Sequence, residues 1–554
     1  MTARDAEALA AIFADLDLHF TESRGRAPGA VAAIVRGDAI TAVRAFGCAN
    51  LMTGLRWSEH VPGRIASVSK PMAAQVILSL CDARCLSLDM RLGEGLSLSP
   101  VWAELRLCDA LSMKAGLPDE YPLMALATGG GVADHHDLDH RDGLLAAQSH
   151  LNFPPGARTV YANTGYTLAQ RLAEALTGER FGALLQRIVF DPAGMRTASF
   201  GRETAPLAPG IGLGARFDGA NILPVESWIE IGAAGGVVAS VADLVAWHLW
   251  NRGGGAELWR RIAAPVSHAD GSASGYALGV ERKTLAGQRT QGHAGGISGW
   301  ACDYVRLLDL DSAVFVLSNR TDVNWYERIR EAAVRAFELA PDPAATPRLV
   351  RPDIPTYLWS GLFGDREGGR SYHLRGASGE IELEARRFLQ DESGVFVRTL
   401  GPEPIVIEVA GDAAEAPSSV SVREGGVTAV CGRARPIRAP HVDLCGVYRA
   451  ATMPGRIIIA EIDGAPHVAF GWQWPATAPL RLEPVFPDLW RAFDARGAPS
   501  DFHFFWPDLD GDPDRLEVST ARLIRFPYVR VGDAAVAERE LTWTARPNRL
   551  GAAQ

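Results

Sequence analysis

The segment at residues 65–71 places Ser67 and Lys70 three residues apart, with Pro71 directly after them. On a helix this spacing puts both side chains on one face. A serine hydroxyl group is a weak nucleophile until it loses its proton, and a lysine whose pKa is lowered by burial can accept that proton. The start of a helix also brings a positive dipole end to a developing oxyanion. The pair predicts nucleophilic catalysis at Ser67, although so short a pattern also occurs by chance on solvated helices.

Tyr161 and Asn163 form a second group, which follows the Pro-Pro-Gly turn at residues 154–156. A tyrosine beside a lysine can relay the serine proton and later protonate a leaving amine. Asn163 can hold the amide of a substrate. Taken alone, the pair also fits a tyrosine packed at the end of a loop beside an asparagine in a turn.

A third group, His293-Ala294-Gly295-Gly296, lies between predicted strands. The two glycines allow close backbone approach, as is needed where a strand edge offers its N–H groups to a substrate carbonyl, and we expect His293 to face the pocket. A simple turn is the alternative. The three groups occur in this order, each at the predicted edge of an element, so the set is far more specific than any one member.

The ordered set resembles the motifs S-x-x-K, S-D-N and K-T-G of serine β-lactamases and penicillin-binding proteins. With Tyr161-Ala162-Asn163 in second place and His293-Ala294-Gly295 in third, it is similar to the branch of class C β-lactamases, serine esterases, D,D-peptidases and D-aminopeptidases. Within that branch, nearly the whole chain resembles the bacterial D-aminopeptidase family. Supporting segments lie at residues 111–117, 190–195 and 234–237.

The resemblance implies a role for each residue of the first two groups. Ser67 would be the nucleophile that accepts the acyl group, Lys70 the proton acceptor and Tyr161 the proton relay. Asn163 would bind the substrate.

The third group would also bind substrate by the same resemblance. His293 takes the place of the lysine in the K-T-G motif, and Gly295 follows it. The oxyanion hole would use the backbone N–H groups of Ser67 and of Gly296 or its neighbour.

The chain departs from the D-aminopeptidase family at one loop. In that family a loop of the last barrel offers an acidic residue to the ammonium group of the substrate. The corresponding stretch here, residues 493–501, is shorter, and no acid falls at the same place. Asp494 is the nearest candidate and Asp501 the next, so strict aminopeptidase specificity depends on one of them reaching the pocket.

Hydrophobic periodicity predicts the elements that carry these groups. An amphipathic helix is expected near the N-terminus, in residues 1–20, and a hairpin with strands at 30–35 and 40–46 turns at Gly37-Asp38. Further helices are predicted at 68–80, 167–177 and 242–250, the last opened by a capping box of Ser240 and Asp243. Strands are predicted at 276–280, 302–307 and 313–317. Strands at both ends with helices between them predict one sheet built from distant parts of the chain.

We expect a multidomain chain in which an α/β catalytic domain of the β-lactamase and penicillin-binding-protein type at residues 1–340 precedes two small antiparallel β-barrel domains. Five prolines within residues 341–356 indicate a stiff linker. The barrels, which the resemblance implies, are expected at 357–438 and 439–554. Their first strands begin alike, with Gly361-Leu362-Phe363 and Gly446-Val447-Tyr448.

Composition excludes several classes of function. The 554 residues carry 55 Lys and Arg against 65 Asp and Glu, a net charge of −10 that argues against nucleic acid as a partner. We find no signal peptide and no apolar run long enough to span a membrane, so a soluble, cytoplasmic protein is expected. Seven scattered cysteines do not indicate a disulfide framework. No cofactor or metal is expected, since the acidic runs at 134–140 and 508–512 lack a definite ligand set.

The sequence therefore predicts a serine hydrolase that acts through an acyl-enzyme, an aminopeptidase releasing N-terminal D-amino acids from short peptides and amides. Alternatives are an esterase, a D,D-carboxypeptidase or a β-lactamase with the same machinery, or an inactive scaffold or binding homologue. A carboxypeptidase needs a cation for the terminal carboxylate, whereas an aminopeptidase needs an acid for the ammonium group. The expected partner is a small peptide or amide, and a homodimer is implied by the resemblance.

Overall fold

The structure is a computed structural model, and it describes most of the chain. The described residues are 3–14, 27–128, 138–201, 210–218, 221–225, 232–339, 360–365, 369–377, 380–383, 386–390, 396–398, 405–410, 417–424, 427–434, 444–453, 455–471, 479–494, 497, 499–507 and 514–537. The expected linker at 341–356 and the acidic run at 508–512 lie outside them, as does most of the run at 134–140. Within the described residues, no helix combines the length and the apolar content that crossing a bilayer requires.

Apart from a short helical turn at residues 534–537, the described α-helices lie in the N-terminal part of the chain. In chain order they are α1 (Ala3–Phe13), α2 (Ser69–Asp82), α3 (Pro100–Ala103), α4 (Leu107–Leu111), α5 (Glu120–Thr128), α6 (Leu138–Ala146), α7 (Thr164–Thr177), α8 (Phe181–Leu185), α9 (Asp191–Ala193), α10 (Val241–Trp250), α11 (Ala256–Ile262) and α12 (Trp325–Ala336). The strands of the same region are β1 (Ala30–Arg36), β2 (Ala39–Phe46), β3 (Cys48–Asn50), β4 (Leu55–Arg56), β5 (Gly63–Arg64), β6 (Ser199–Phe200), β7 (Gly214–Asp218), β8 (Asn221–Val225), β9 (Val237–Ala239), β10 (Val266–Ser267), β11 (Ala273–Ser274), β12 (Glu281–Leu285), β13 (Gln288–Ile297), β14 (Trp300–Leu307) and β15 (Ser312–Ser318).

One six-stranded antiparallel sheet joins the two ends of this region, in the order β12-β13-β14-β15-β1-β2. Every residue of β15 is buried, and so are the first six of β1. Successive side chains of a strand point to opposite faces, so a continuous apolar run indicates a strand covered on both sides. Ala32 and Ile34 pack with the core under α1 and α12, whereas Val31 and Ala33 belong to the larger core that includes α2. The predicted sheet from distant chain segments is confirmed.

Most predicted elements occur close to their expected limits. The hairpin of β1 and β2, the helices α2, α7 and α10, and the strands β14 and β15 are all present. Ser240 caps α10 through a capping box with Asp243, in which the Asp243 amide donates to Ser240 Oγ at 3.1 Å. The predicted N-terminal helix is α1, which buries Leu9, Ile12 and Phe13.

The strand predicted at residues 276–280 is wrong. Only Tyr276 forms a bridge there, an isolated one with Glu281. Gly279 interrupts the extended conformation with φ of +76°, and a Cβ atom on it would lie 2.8 Å from the carbonyl oxygen of Lys70. The apolar run is therefore a turn packed against the backbone of α2, because close approach to that backbone requires a glycine.

Two closed antiparallel barrels of eight strands each follow, which confirms the expected β-barrel modules. The first comprises β16 (Gly361–Asp365), β17 (Arg370–Ala377), β18 (Glu380–Leu383), β19 (Arg386–Gln390), β20 (Phe396–Arg398), β21 (Ile405–Ala410), β22 (Ser419–Glu424) and β23 (Val427–Arg433). The second comprises β24 (Gly446–Arg449), β25 (Arg456–Ile462), β26 (Ala465–Gly471), β27 (Leu480–Phe486), β28 (Leu489–Phe493), β29 (Pro499–Phe505), β30 (Arg515–Ser519) and β31 (Phe526–Gly532). Phe363 and Tyr448, which share a register in the two first strands, are both fully buried.

The second barrel packs on the helical region. Strands β25 and β26 contact α5, and a Cβ atom on Gly455 would lie 2.8 Å from the carbonyl oxygen of Ala127. Gln148 Nε2 donates to the carbonyl oxygen of Thr452 at 2.8 Å. The turn between β30 and β31 thereby reaches the neighbourhood of Ser67, as described next.

Candidate active site

Ser67 lies in a one-turn 3₁₀ helix, Ala66–Val68, which leads directly into α2. The residue before it, Ala66, is buried and has φ of +49°. This backbone conformation is unfavourable for any residue that has a Cβ atom. Ser69 Oγ donates to the carbonyl oxygen of Ala66 at 2.6 Å and so holds this turn. The predicted helix start is thus a tight, constrained turn, of the kind that clusters at active sites.

Lys70 is fully buried in α2, and three oxygen acceptors surround its ammonium group. Nζ donates to Ser67 Oγ at 3.0 Å, to Asn163 Oδ1 at 2.8 Å and to the carbonyl oxygen of Ala234 at 2.6 Å. Burial lowers the pKa of Lys70 from 10.5 to about 7, although the nearby carboxylate of Asp119 opposes the shift. A lysine with this pKa is partly neutral at physiological pH and can accept a proton from Ser67.

Tyr161 contacts the same serine oxygen from another side. Its hydroxyl group donates to Ser67 Oγ at 2.7 Å, and its ring lies 4.9 Å from Lys70 Nζ. Burial raises the pKa of Tyr161 above its ordinary value of 10, so the phenol keeps its proton at neutral pH. The structure thus brings Ser67, Lys70 and Tyr161 together as the sequence predicted.

Asn163 lies at the start of α7 and is almost fully buried. Its Oδ1 accepts from Lys70, and its Nδ2 donates to both carboxylate oxygens of Asp119, at 3.1 and 3.2 Å. Asn163 therefore joins the lysine to a buried carboxylate. The substrate contact that the resemblance implies for it stays a prediction.

His293, Gly295 and Gly296 lie in β13, a strand that the sequence analysis did not predict. Among the described strands, β12 pairs with β13 only as far as Gly292, so the residues after it have no strand partner on that side. A Cβ atom on Gly295 would lie 2.3 Å from the carbonyl oxygen of Ile65 and 3.1 Å from the Ser67 amide nitrogen. A Cβ atom on Gly296 would meet nothing within 4 Å. The Gly295 backbone therefore lies against the serine turn, whereas the expected approach of this strand edge to a substrate carbonyl stays a prediction.

His293 is buried, and both of its ring nitrogens are hydrogen-bonded. Nδ1 lies 2.6 Å from the carbonyl oxygen of Ala294, and Nε2 lies 2.9 Å from the Tyr276 hydroxyl group. A carbonyl oxygen only accepts, so Nδ1 carries the proton and Nε2 accepts from Tyr276. Burial lowers the pKa of His293 to about 4, so this histidine is neutral where a third-motif lysine would be charged.

Asp494 lies directly after β28, and its carbonyl oxygen accepts from the Gly497 amide at 2.9 Å. Within the described part of the chain, the hydrogen bonds of Ser67, Lys70 and Tyr161 are made to other residues. Its role as the partner of an ammonium group stays a prediction.

Sequence reasoning missed two residues of this network. Asp119 is fully buried and accepts from Asn163, and Arg522 Nη1 donates to Asp119 Oδ2 at 3.1 Å. The Arg522 guanidinium carbon also lies 4.7 Å from the centre of the Tyr161 ring. Asp119 comes two residues after the segment at 111–117 that supported the resemblance, which is a weak signal. Arg522 belongs to the last barrel, and no local pattern points to it.

Residues 7–338 match the family model described as Beta-lactamase. The chain is 26% identical over 501 residues to a D-aminopeptidase of Cereibacter sphaeroides, which covers 86% of this chain and 91% of that protein. It is 25% identical over 490 residues to a D-aminopeptidase of Brucella anthropi, which covers 84% of this chain and 87% of that protein. The resemblance seen in the sequence is confirmed over most of the chain.

Two solved structures share the fold at low identity. An octameric penicillin-binding protein homologue from Pyrococcus abyssi has a TM-score of 0.54 and 15% identity, covering 94% of this chain and 100% of its own. The D-amino acid amidase from Ochrobactrum anthropi SV3 has a TM-score of 0.50 and 20% identity, and the match covers 60% of this chain and 98% of the amidase chain. Both confirm the expected fold of the catalytic region.

Proposed function

This chain belongs to the beta-lactamase family, and from that premise we propose that it is a serine hydrolase that forms an acyl-enzyme on Ser67 and releases N-terminal D-amino acids from short peptides and amides. One observation carries the proposed chemistry. Ser67 Oγ lies within hydrogen-bonding distance of both Lys70 Nζ, at 3.0 Å, and the Tyr161 hydroxyl group, at 2.7 Å.

In the proposed first step, Ser67 Oγ bonds to the substrate carbonyl carbon, and its proton passes to neutral Lys70. The carbonyl oxygen becomes negative and is stabilised by backbone N–H groups of Ser67 and of Gly296 or its neighbour. The C–N bond then breaks, and the leaving nitrogen takes the proton of Tyr161. The proton that Lys70 took from Ser67 then passes to Tyr161 and restores its hydroxyl group. Water next attacks the ester, releases the acid and restores the hydroxyl group of Ser67.

The proposed preference for D-residues is supported by relatives named D-aminopeptidase that align over most of this chain. In this proposal the substrate's ammonium group is bound by Asp494, with Asp501 of β29 as the next candidate. A homodimer in the cytoplasm remains part of the same proposal.

A second candidate is a D,D-carboxypeptidase with the same nucleophile. The observation that favours it is Arg522, because the last barrel places a cation rather than an acid against Tyr161. A carboxypeptidase requires a cation for the terminal carboxylate of its substrate.

The test compares four substrates: the p-nitroanilides of D-alanine, L-alanine and N-acetyl-D-alanine, and a penicillin. We expect turnover of the free D-alanine derivative alone, with a mass increase on the peptide that contains Ser67. Ser67→Ala should lower kcat/KM by at least about 1,000-fold, as loss of a catalytic serine does elsewhere. Ser79→Ala, on the same helix, serves as the matched control.

Two results would contradict this assignment in different ways. Turnover of the N-acetyl compound but not of the free amine would exclude the aminopeptidase. Undiminished turnover by Ser67→Ala would exclude the acyl-enzyme altogether.

A further inference from the structure

Arg522 lies in the turn between β30 and β31, and its backbone is fixed to the catalytic region. Its carbonyl oxygen accepts from the Asp119 amide at 3.0 Å and from Asn152 Nδ2 at 3.1 Å. The Ile524 amide donates to Asn152 Oδ1 at 2.8 Å. These three hydrogen bonds hold the turn of the second barrel in one position beside the active site.

The side chain of Arg522 is oriented by two contacts. Nη1 donates to Asp119 Oδ2 at 3.1 Å, and the guanidinium carbon lies 4.7 Å from the centre of the Tyr161 ring. The Asp119 side chain is fully buried, so it holds the arginine without itself reaching a substrate. Asp119 is also linked to Lys70 through the Asn163 amide.

Most of the guanidinium group remains available to a ligand. An arginine side chain has five N–H donors. Among the described residues, the pair with Asp119 is the sole hydrogen bond or ion pair of this side chain, which is 45% exposed. The remaining donors therefore have no partner among the described residues.

The position of Arg522 matches one part of a substrate. In the proposed reaction Tyr161 passes its proton to the leaving nitrogen, and the carboxyl carbon of the residue that carries this nitrogen lies about 2.5 Å from it. Its free carboxylate would then lie near the guanidinium group held 4.7 Å from the Tyr161 ring. Planar guanidinium and carboxylate groups pair through two parallel hydrogen bonds.

We propose that Arg522 binds the free carboxylate of the residue that leaves, so that the preferred substrates are short peptides with a free C-terminus rather than amides or longer peptides. This inference rests on acyl transfer at Ser67 as proposed above. It does not depend on whether the enzyme recognises the amino end of the peptide.

The test compares D-alanyl-glycine with D-alanyl-glycinamide, which differ only in the terminal carboxylate. The wild-type protein should show the higher kcat/KM for the free acid. Arg522→Gln should lower kcat/KM for the free acid by about tenfold to hundredfold more than it lowers kcat/KM for the amide, the effect of a lost charged hydrogen bond. Arg522→Lys should restore part of the preference.

Arg525→Gln is the matched control, because Arg525 lies in the same turn and pairs within the barrel with Glu517 at 3.0 Å. It should leave the preference unchanged. Equal losses on both substrates in Arg522→Gln would overturn the proposal, since a residue that only positions Tyr161 or Asp119 affects every substrate alike. The absence of any preference in the wild-type protein would overturn it as well.

If neither dipeptide is hydrolysed, the proposed aminopeptidase activity fails, and the carboxylate site is tested separately. Hydrolysis of neutral p-nitrophenyl acetate is then followed with each dipeptide as a competitor. Stronger inhibition by the free acid, abolished in Arg522→Gln, would support the site. Equal inhibition by acid and amide would refute it.

Discussion

At the scale of the residue, burial shifts the proton affinities of the two groups beside Ser67 in opposite directions. A low-dielectric surrounding disfavours the charged form of any group, so the pKa of Lys70 falls to about 7 and that of Tyr161 rises. The result is a base that is partly neutral at physiological pH beside an acid that stays protonated. One physical effect therefore supplies both the acceptor and the donor that amide cleavage needs.

A pH profile follows from the pKa of Lys70. The protonated lysine cannot accept the serine proton, so kcat/KM should rise with pH, with a midpoint near 7. Asp119 raises the pKa of Lys70, whereas Arg522 lowers it. Asp119→Asn should therefore move the midpoint to lower pH, by roughly one unit. Steady-state rates on D-alanine p-nitroanilide between pH 5 and 9, in about 0.1 M salt, measure the midpoint for both proteins.

Asp82→Asn is the control for that profile, since Asp82 ends the same helix and pairs with Arg261 at the surface. Its midpoint should equal that of the wild-type protein. A midpoint for Asp119→Asn that stays near 7, in protein with unchanged circular dichroism, would show that the charge of Asp119 is not coupled to Lys70.

At the scale of the element, the site depends on the contact between the 3₁₀ turn at Ala66–Val68 and the strand β13. The turn holds Ala66 at positive φ, and Gly295 approaches the carbonyl oxygen of Ile65 too closely for a side chain. Two backbones in such contact fix the position of the Ser67 amide, which is the proposed oxyanion donor. Glycine in β13 is thus a requirement of packing.

Two adjacent glycines test that requirement through stability. Gly295→Ala would place a Cβ atom 2.3 Å from the carbonyl oxygen of Ile65, so the backbone must move. We expect the free energy of unfolding to fall by about 1–3 kcal/mol, as overpacking does elsewhere. A Cβ atom on Gly296 would meet no atom within 4 Å, so Gly296→Ala should change the free energy of unfolding by less than about 0.5 kcal/mol. Urea denaturation of both variants measures this, and equal losses would contradict it.

At the scale of the whole molecule, the second barrel contributes a residue to the candidate active site. Its turn places Arg522 within the network of Asp119 and Tyr161, and its strands pack on α5. The first barrel meets the second through His503, whose Nε2 lies 3.0 Å from Ser371 Oγ. Like His248 and His293 in the catalytic region, His503 is buried and neutral.

These three histidines predict that stability falls in mild acid. Burial lowers the pKa of His248 and His503 to about 3 and that of His293 to about 4, against 6.5 in the unfolded chain. Protons therefore bind the unfolded chain more tightly, so stability is full above pH 6.5 and declines as pH falls towards 4 and below. Full protonation of each histidine lowers the free energy of unfolding by on the order of 3–5 kcal/mol, since one pKa unit corresponds to about 1.4 kcal/mol.

Thermal unfolding between pH 4 and 8 checks this decline. His503→Asn should flatten the slope, because an amide can still bond to Ser371 but does not titrate in this range. The exposed His60 is the control, and His60→Asn should leave the slope unchanged. A slope that His503→Asn does not alter would exclude this histidine as a source of the pH dependence.

The sequence by itself was sufficient to identify Ser67, Lys70 and Tyr161, the proposed nucleophile, base and relay, as one group. Ser67 and Lys70 share one turn of chain, and Tyr161 precedes a recognisable helix, so local spacing carried the information. Apolar runs likewise predicted β1 and β2, and helical spacing predicted α7 and α10. A strand covered on both faces, such as β1, is apolar throughout, whereas a helix with one buried face has a periodic sequence. The glycine-rich β13 was missed as a strand because its pairing with β14, rather than a side-chain pattern, makes it one.

Only the tertiary structure decided what surrounds these residues. It made Asn163 a bridge between Lys70 and Asp119, paired His293 with Tyr276, and brought Arg522 from the last barrel. The physical reason is that the charge state of each group depends on burial and on its nearest neighbours, and those neighbours come from segments up to several hundred residues apart. Local spacing determined which residues can react, whereas packing decided at what pH the lysine accepts a proton and which cation lies beside the tyrosine.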